Sequence, residues 1–82
     1  MKYNNKKYYK GCDYMIRYKI NVYDALQRRG FNMYQAQKTK LLSTDTMKKL
    51  REEDTRITLA SLNIICQLLD MQPKDLIEYV PD

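Results

Sequence analysis

Eighty-two residues with two glycines and two prolines make one domain around one small core, and without a long alternating apolar run a helical bundle is the natural solution. Histidine is absent, the two cysteines cannot complete a zinc site, and Gly11 and Gly30 stand alone, so nothing asks for His-based catalysis, a structural metal or a phosphate loop. The net charge of +5 is uneven: residues 1–51 carry thirteen Lys/Arg against Asp13, Asp24 and Asp45, whereas residues 52–82 carry Arg56 and Lys74 against seven acids.

A basic front two-thirds is the electrostatic footprint of a polyanion binder, and an acidic tail suits the side turned away from nucleic acid. The plainer reading is a solvated basic surface with no partner. No run of about eighteen apolar residues exists to span a membrane. The basic start, MKYNNKKYYK, is not followed by the apolar stretch of a secretory signal. Cys12 in a polar segment and Cys66 on an apolar one are the usage of a reduced, cytoplasmic protein. The chain therefore reads as a non-enzyme that needs no cofactor and no metal.

Residues 1–14 are rich in Lys, Asn and Tyr and offer little to bury, which predicts a flexible basic arm. MIRYKI, at 15–20, alternates for too few positions to separate a short strand from a lead-in to the first helix. That helix is expected at about Asn21 to Arg29, with Val22, Ala25 and Leu26 inward and Gly30 ending it. Asn32 followed by Gln35 fits a capping box, with Phe31 stapling onto Ala36, so a second helix should run to Thr39 or Lys40. Ser43 caps a third, ending near Glu52, with Met47 and Leu50 inward. After a polar connection, Ile57 enters the core.

Thr58 then caps a fourth helix, on which Leu59, Leu62, Ile65, Cys66 and Leu69 recur at helical spacing. Ile64 and Leu68 lie beside that face, either widening the core contact or forming a dimer seam. Pro73 opens a fifth helix with Asp75 in its first turn and Leu76, Ile77 and Val80 to bury. Met33, Met47 and Met71 read as core filler.

The closing phrase ICQLLDMQPKDL resembles the last helices of Cro/CI-type helix-turn-helix regulators, the xenobiotic-response-element family of small phage and mobile-element repressors. The resemblance covers about Met15 to Val80 and is best at Arg29-Gly30, Tyr34, Leu42-Ser43, Thr46-Met47, Leu50 and Leu59 to Tyr79. It implies an all-α, five-helix lambda-repressor-like domain over 15–82, behind the arm. It also implies a transcriptional regulator that binds double-stranded DNA, usually as a homodimer, with helix 3 in the major groove and helix 2 across the backbone. Two positions depart from the family pattern. Gln37 stands where helix 2 carries a small residue against helix 3, with Ala36 as its substitute if the register slips by one. Leu41 stands where the turn has a left-handed glycine, a conformation that strains leucine by roughly 1 kcal/mol or more.

With Met47 and Leu50 inward, helical geometry turns Asp45, Lys48, Lys49 and Glu52 outward, with Thr44 at the leading flank. Thr44, Asp45, Lys48 and Lys49 are thus the expected base-reading residues: lysines suit phosphate or guanine, and a carboxylate accepts from cytosine. Asn32, Tyr34, Gln35 and Ser43 are expected at phosphates, near helix N-termini that favour anions. The plainer reading of helix 3 is a solvated face with pairs such as Asp45–Lys49 or Lys48–Glu52. Two other functions stay open: a protein-binding module on the same fold (an antitoxin, antirepressor or nuclease inhibitor), and a single-strand binder working through the tyrosine arm. Edge pairing of Ile16 to Ile20 with a partner chain is a further possibility.

Overall fold

The computed structural model describes residues 15–81. Expectations about the arm, its tyrosines and Cys12 lie outside the described residues. The elements run β1 (Ile16–Tyr18), α1 (Val22–Arg28), α2 (Met33–Thr39), α3 (Thr44–Arg51), α4 (Leu59–Leu69), α5 (Pro73–Leu76) and β2 (Ile77–Tyr79). The expected five helices are there, and a two-stranded antiparallel ladder joins them.

Four of the five helices begin where the N-cap side chain satisfies an orphan N–H. Asn21 accepts from the Asp24 amide, Asn32 from Gln35, Ser43 from Thr46 and Thr58 from Ser61. α1 ends in a Schellman pair: the Gly30 amide donates to the Gln27 carbonyl and the Phe31 amide to Leu26, both at 2.9 Å. Gly30 takes a φ of +83° for this, a conformation that strains any side chain even though a β-carbon there would meet nothing within 4 Å. The same device closes α3, where Glu53 at φ 60° lets the Asp54 amide reach back to Lys49 at 2.7 Å.

The core is Val22, Leu26, Phe31, Ala36, Leu42, Met47, Leu50, Ile65, Leu69 and Leu76, drawn from all five helices and two of their connections. Among the described residues no polar or charged residue is buried. Met33, Met71, Ile57, Ile64 and Leu68 pack partly buried against the core, so Ile64 and Leu68 widen the contact. Arg29 fastens α4 to α1, its guanidinium donating to the Leu69 carbonyl at 2.9 Å.

Two expectations change, and one open choice is settled. The helix from Pro73 ends at Leu76, because Ile77 leaves it extended and pairs with Tyr18; Val80 then donates its amide to the Met15 carbonyl at 3.2 Å. MIRYKI contains a strand, paired within its own chain: Ile16 opposite Tyr79, Arg17 opposite Glu78 and Tyr18 opposite Ile77. Leu59, expected inward, is 82% exposed, because the first residue of α4 projects past the end of the packed region.

Tyr18 ties this ladder to α3. Its hydroxyl donates to the Asp54 carbonyl at 2.7 Å, just beyond the helix end. Burial, reinforced by the Asp54 carboxylate, pushes the phenol up to about 12. The fold favours the neutral form, so this contribution to stability is complete below pH ~10, the ordinary tyrosine value, and is lost as pH rises through the folded value. Tyr18→Phe should cost about 1 kcal/mol in chemical denaturation. It should also remove a late-ionising tyrosine from an alkaline absorbance titration.

Candidate nucleic-acid interface

α2 and α3 are joined by the four residues Lys40 to Ser43. The side chain that meets α3 is Ala36, 1% exposed, whereas Gln37 points outward. The residue in the left-handed region is Lys40, at φ 62° and ψ 18°, and not Leu41. Both departures thus resolve by the same one-residue shift. Counted forward from Ala36 the turn holds one residue more than the ungapped match allows, and the surplus appears as Leu41, 47% exposed. Leu42 behind it is 2% exposed and closes the core under the turn.

α3 is held at both ends. Ser43 Oγ accepts from the Thr46 amide at 3.0 Å and donates to Thr46 Oγ1 at 2.9 Å. Met47 and Leu50 are 0% and 1% exposed, which fixes the helix's rotation and turns Thr44, Asp45 and Lys48 into solvent. Asp45 is ion-paired with Lys49 at 3.2 Å, and the Lys49 side chain is 32% exposed against 75% for Asp45. Lys48 is therefore the freer lysine of the two. Among the described residues Lys48 and Glu52 make no ion pair.

The four residues expected at phosphates fall into two groups. Asn32 and Ser43 spend a side-chain oxygen as caps; Asn32 keeps its side-chain amide N–H groups for an anion, whereas Ser43, whose hydroxyl already donates to Thr46, leaves only the first-turn amides beside it. Tyr34 is 63% exposed on α2, with Lys38 Nζ 5.9 Å from its ring centroid, and Gln35 is half-buried. No hydrogen bond among the described residues links the α2 group to the α3 group.

Residues outside that set share the surface. Lys38 and Lys40 stand exposed at the end of α2 and in the turn, and Arg51 is exposed in the last turn of α3. Thr44, Lys48 and Arg51 follow one another at four- and three-residue steps, a spacing that could have flagged Arg51. From Met33 to Arg51 five basic residues stand against Asp45 alone. Part of the positive charge of the front of the chain thus lies on α2, the turn and α3.

Two short helices at a tight turn, the second capped at its start, anchored at its end and basic on its exposed face, make a helix-turn-helix unit. The sequence model of the Cro/C1-type HTH DNA-binding domain matches residues 14–82, and the chain belongs to that family. No curated protein and no solved structure matches it significantly. Among the described residues no helix is long and apolar enough to cross a membrane, and no cluster of side chains is set to hold a metal ion.

Lys40→Gly tests the register of the turn. Relief of left-handed strain, partly offset by the freer unfolded glycine, should stabilise the domain by about 0.5–1 kcal/mol in thermal melts. The same change at Leu41 should not stabilise it.

Proposed function

We propose that this domain reads a specific double-stranded DNA site to regulate transcription, most simply as a repressor, with α3 in the major groove and α2 across the backbone. The observation that carries this reading is the exposed face of α3. Its rotation is fixed by Met47 and Leu50, and it presents Thr44, Lys48 and Arg51 in one line. On this reading Lys48 and Arg51 reach guanine edges or phosphates, Thr44 leads into the groove, and Asp45 swaps its bond to Lys49 for a cytosine amino group. Asn32, Tyr34, Gln35 and Ser43 hold phosphates beside the starts of α2 and α3. Leu41 sets an apolar group two residues ahead of the α3 cap, suited to a thymine methyl. A single α3 covers a few base pairs, so two copies on a two-fold site supply the specificity a regulator needs.

A second reading has its own support. The Asp45–Lys49 pair and the exposed Tyr34 and Leu41 give the same surface the mixed character of a protein-binding face. An antitoxin, antirepressor or nuclease inhibitor on this fold would use it so.

Fluorescence anisotropy against duplex selected from a random pool, with scrambled duplex as control and across a salt series, separates them. Lys48→Ala should weaken the selected site about tenfold, ~1.4 kcal/mol, and lower the salt slope by about one. Lys49→Ala should cost less, because that lysine already leans on Asp45. If selection yields no preferred site and neither substitution changes binding, the DNA reading fails and the protein-binding one takes its place.

A further inference from the structure

Asp54, just beyond the end of α3, has a partner for each of its polar groups. Its amide donates to the Lys49 carbonyl at 2.7 Å and closes the last turn of the helix. Its carbonyl accepts the Tyr18 hydroxyl at 2.7 Å and joins that turn to the ladder. Its carboxylate accepts the Arg56 amide at 2.9 Å, and the guanidinium of the same residue through Nε at 3.0 Å and Nη2 at 2.7 Å. A forked pair of this kind fixes orientation as well as distance. The Asp54 side chain is 18% exposed and that of Arg56 84%, so the acid is seated and the arginine closes over it. Between helix and junction stands Glu53, at φ 60°, a conformation that a glutamate keeps only where the bonds around it hold it.

We propose that Asp54 is a positioning residue for the DNA-facing side of α3. Held by Arg56 and tied to the ladder through Tyr18, it sets the direction in which Arg51 and Lys48 point. Two observations select this role over a merely stabilising one. An ion pair with so exposed a partner adds little to global stability, so what it supplies is geometry. The junction also lies next to the working end of the helix: Arg51 is in the last turn of α3, and the start of the helix is fixed separately by Ser43. With Asp54 loose, Glu53 is free to leave the left-handed region, and the last turn carrying Arg51 frays. The inference deepens the DNA reading proposed above and rests on it.

The test is anisotropy of the full chain against the selected and scrambled duplexes, at a temperature where circular dichroism shows each variant folded. Simple electrostatics and positioning predict opposite signs for Asp54→Ala. Removing a carboxylate and freeing Arg56 should tighten binding to any duplex, whereas a positioning role makes the selected duplex bind about tenfold more weakly and lowers the selected-to-scrambled ratio. Arg56→Ala should lower that ratio by the same factor with the salt slope unchanged, because no phosphate contact is lost. The double substitution should be no weaker than either single one, since all three break one junction. Asp54→Asn, which keeps an acceptor for the Arg56 amide, should recover part of the ratio. Should Asp54→Ala not fold, Arg56→Ala at its exposed side chain carries the same comparison. An Asp54→Ala variant that binds the selected duplex as well as the wild type or better overturns the proposal. So does an Arg56→Ala variant whose salt slope falls by about one, which makes Arg56 a phosphate contact. A wild type that selects no duplex fails the DNA reading and takes this role with it, whereas a selected site that the variants read equally well sinks the positioning role alone.

Discussion

None of the helices is long enough to persist in water by itself; they run to seven, seven, eight, eleven and four residues. Isolated helices shorter than about twelve residues are marginal even with favourable sequences. Every turn of helix here therefore depends on the shared burial of Leu26, Met47, Leu50, Ile65 and Leu76, each at most 1% exposed. The absence of buried polar groups among the described residues follows from the same constraint. A core this small has no stability to spare for a desolvated charge, so the polar work is done at caps and helix ends, where water is near.

The placement of α3 shows how local chemistry and packing share the task. Ser43 decides where the helix starts, Glu53 and Asp54 decide how it stops, and Met47 and Leu50 decide which side faces out. Between α2 and α3 the chain accepts a left-handed lysine so that Ala36, the smallest side chain available there, can sit beneath α3. The extra residue is accommodated by extruding Leu41 while Leu42 takes the buried position. The core constrains which residue is small and which is buried more tightly than it constrains the length of the turn.

Sequence features with a local cause were legible. Asn32, Ser43 and Thr58 cap as their chemistry predicts, Gly30 ends α1, and Pro73 begins α5. The family was legible from ICQLLDMQPKDL and its neighbours, and the family match bears it out. What escaped depends on residues far apart in the chain. Three-residue strands carry too little alternation to be seen, and Ile16–Tyr18 becomes a strand only because Ile77–Tyr79 lies alongside. For the same reason α5 stops at Leu76, although Ile77 and Val80 continue its apolar spacing. Periodicity placed Leu59 on the apolar face of α4, but it cannot say whether another element covers that end of the face. The proposed base and phosphate contacts would act from the exposed surface of α2, the turn and α3. Arg51 and Leu41 belong to it for reasons that needed the helix's rotation and the turn's register.

The ladder has a mechanical consequence. Because Ile16 lies opposite Tyr79, and Met15 bonds to Val80 just beyond, the first and last described strands leave the body side by side. Tension applied through the two ends would load these bonds in sequence, opening the ladder like a zipper from Val80 inward, rather than shearing all of them together. The first side chain released from the core in that process is Tyr18, and with it the anchor beyond the C-terminal end of α3. A pull on segments attached outside 15–81 would thus reach the basic helix early, while the caps and the buried centre were still intact.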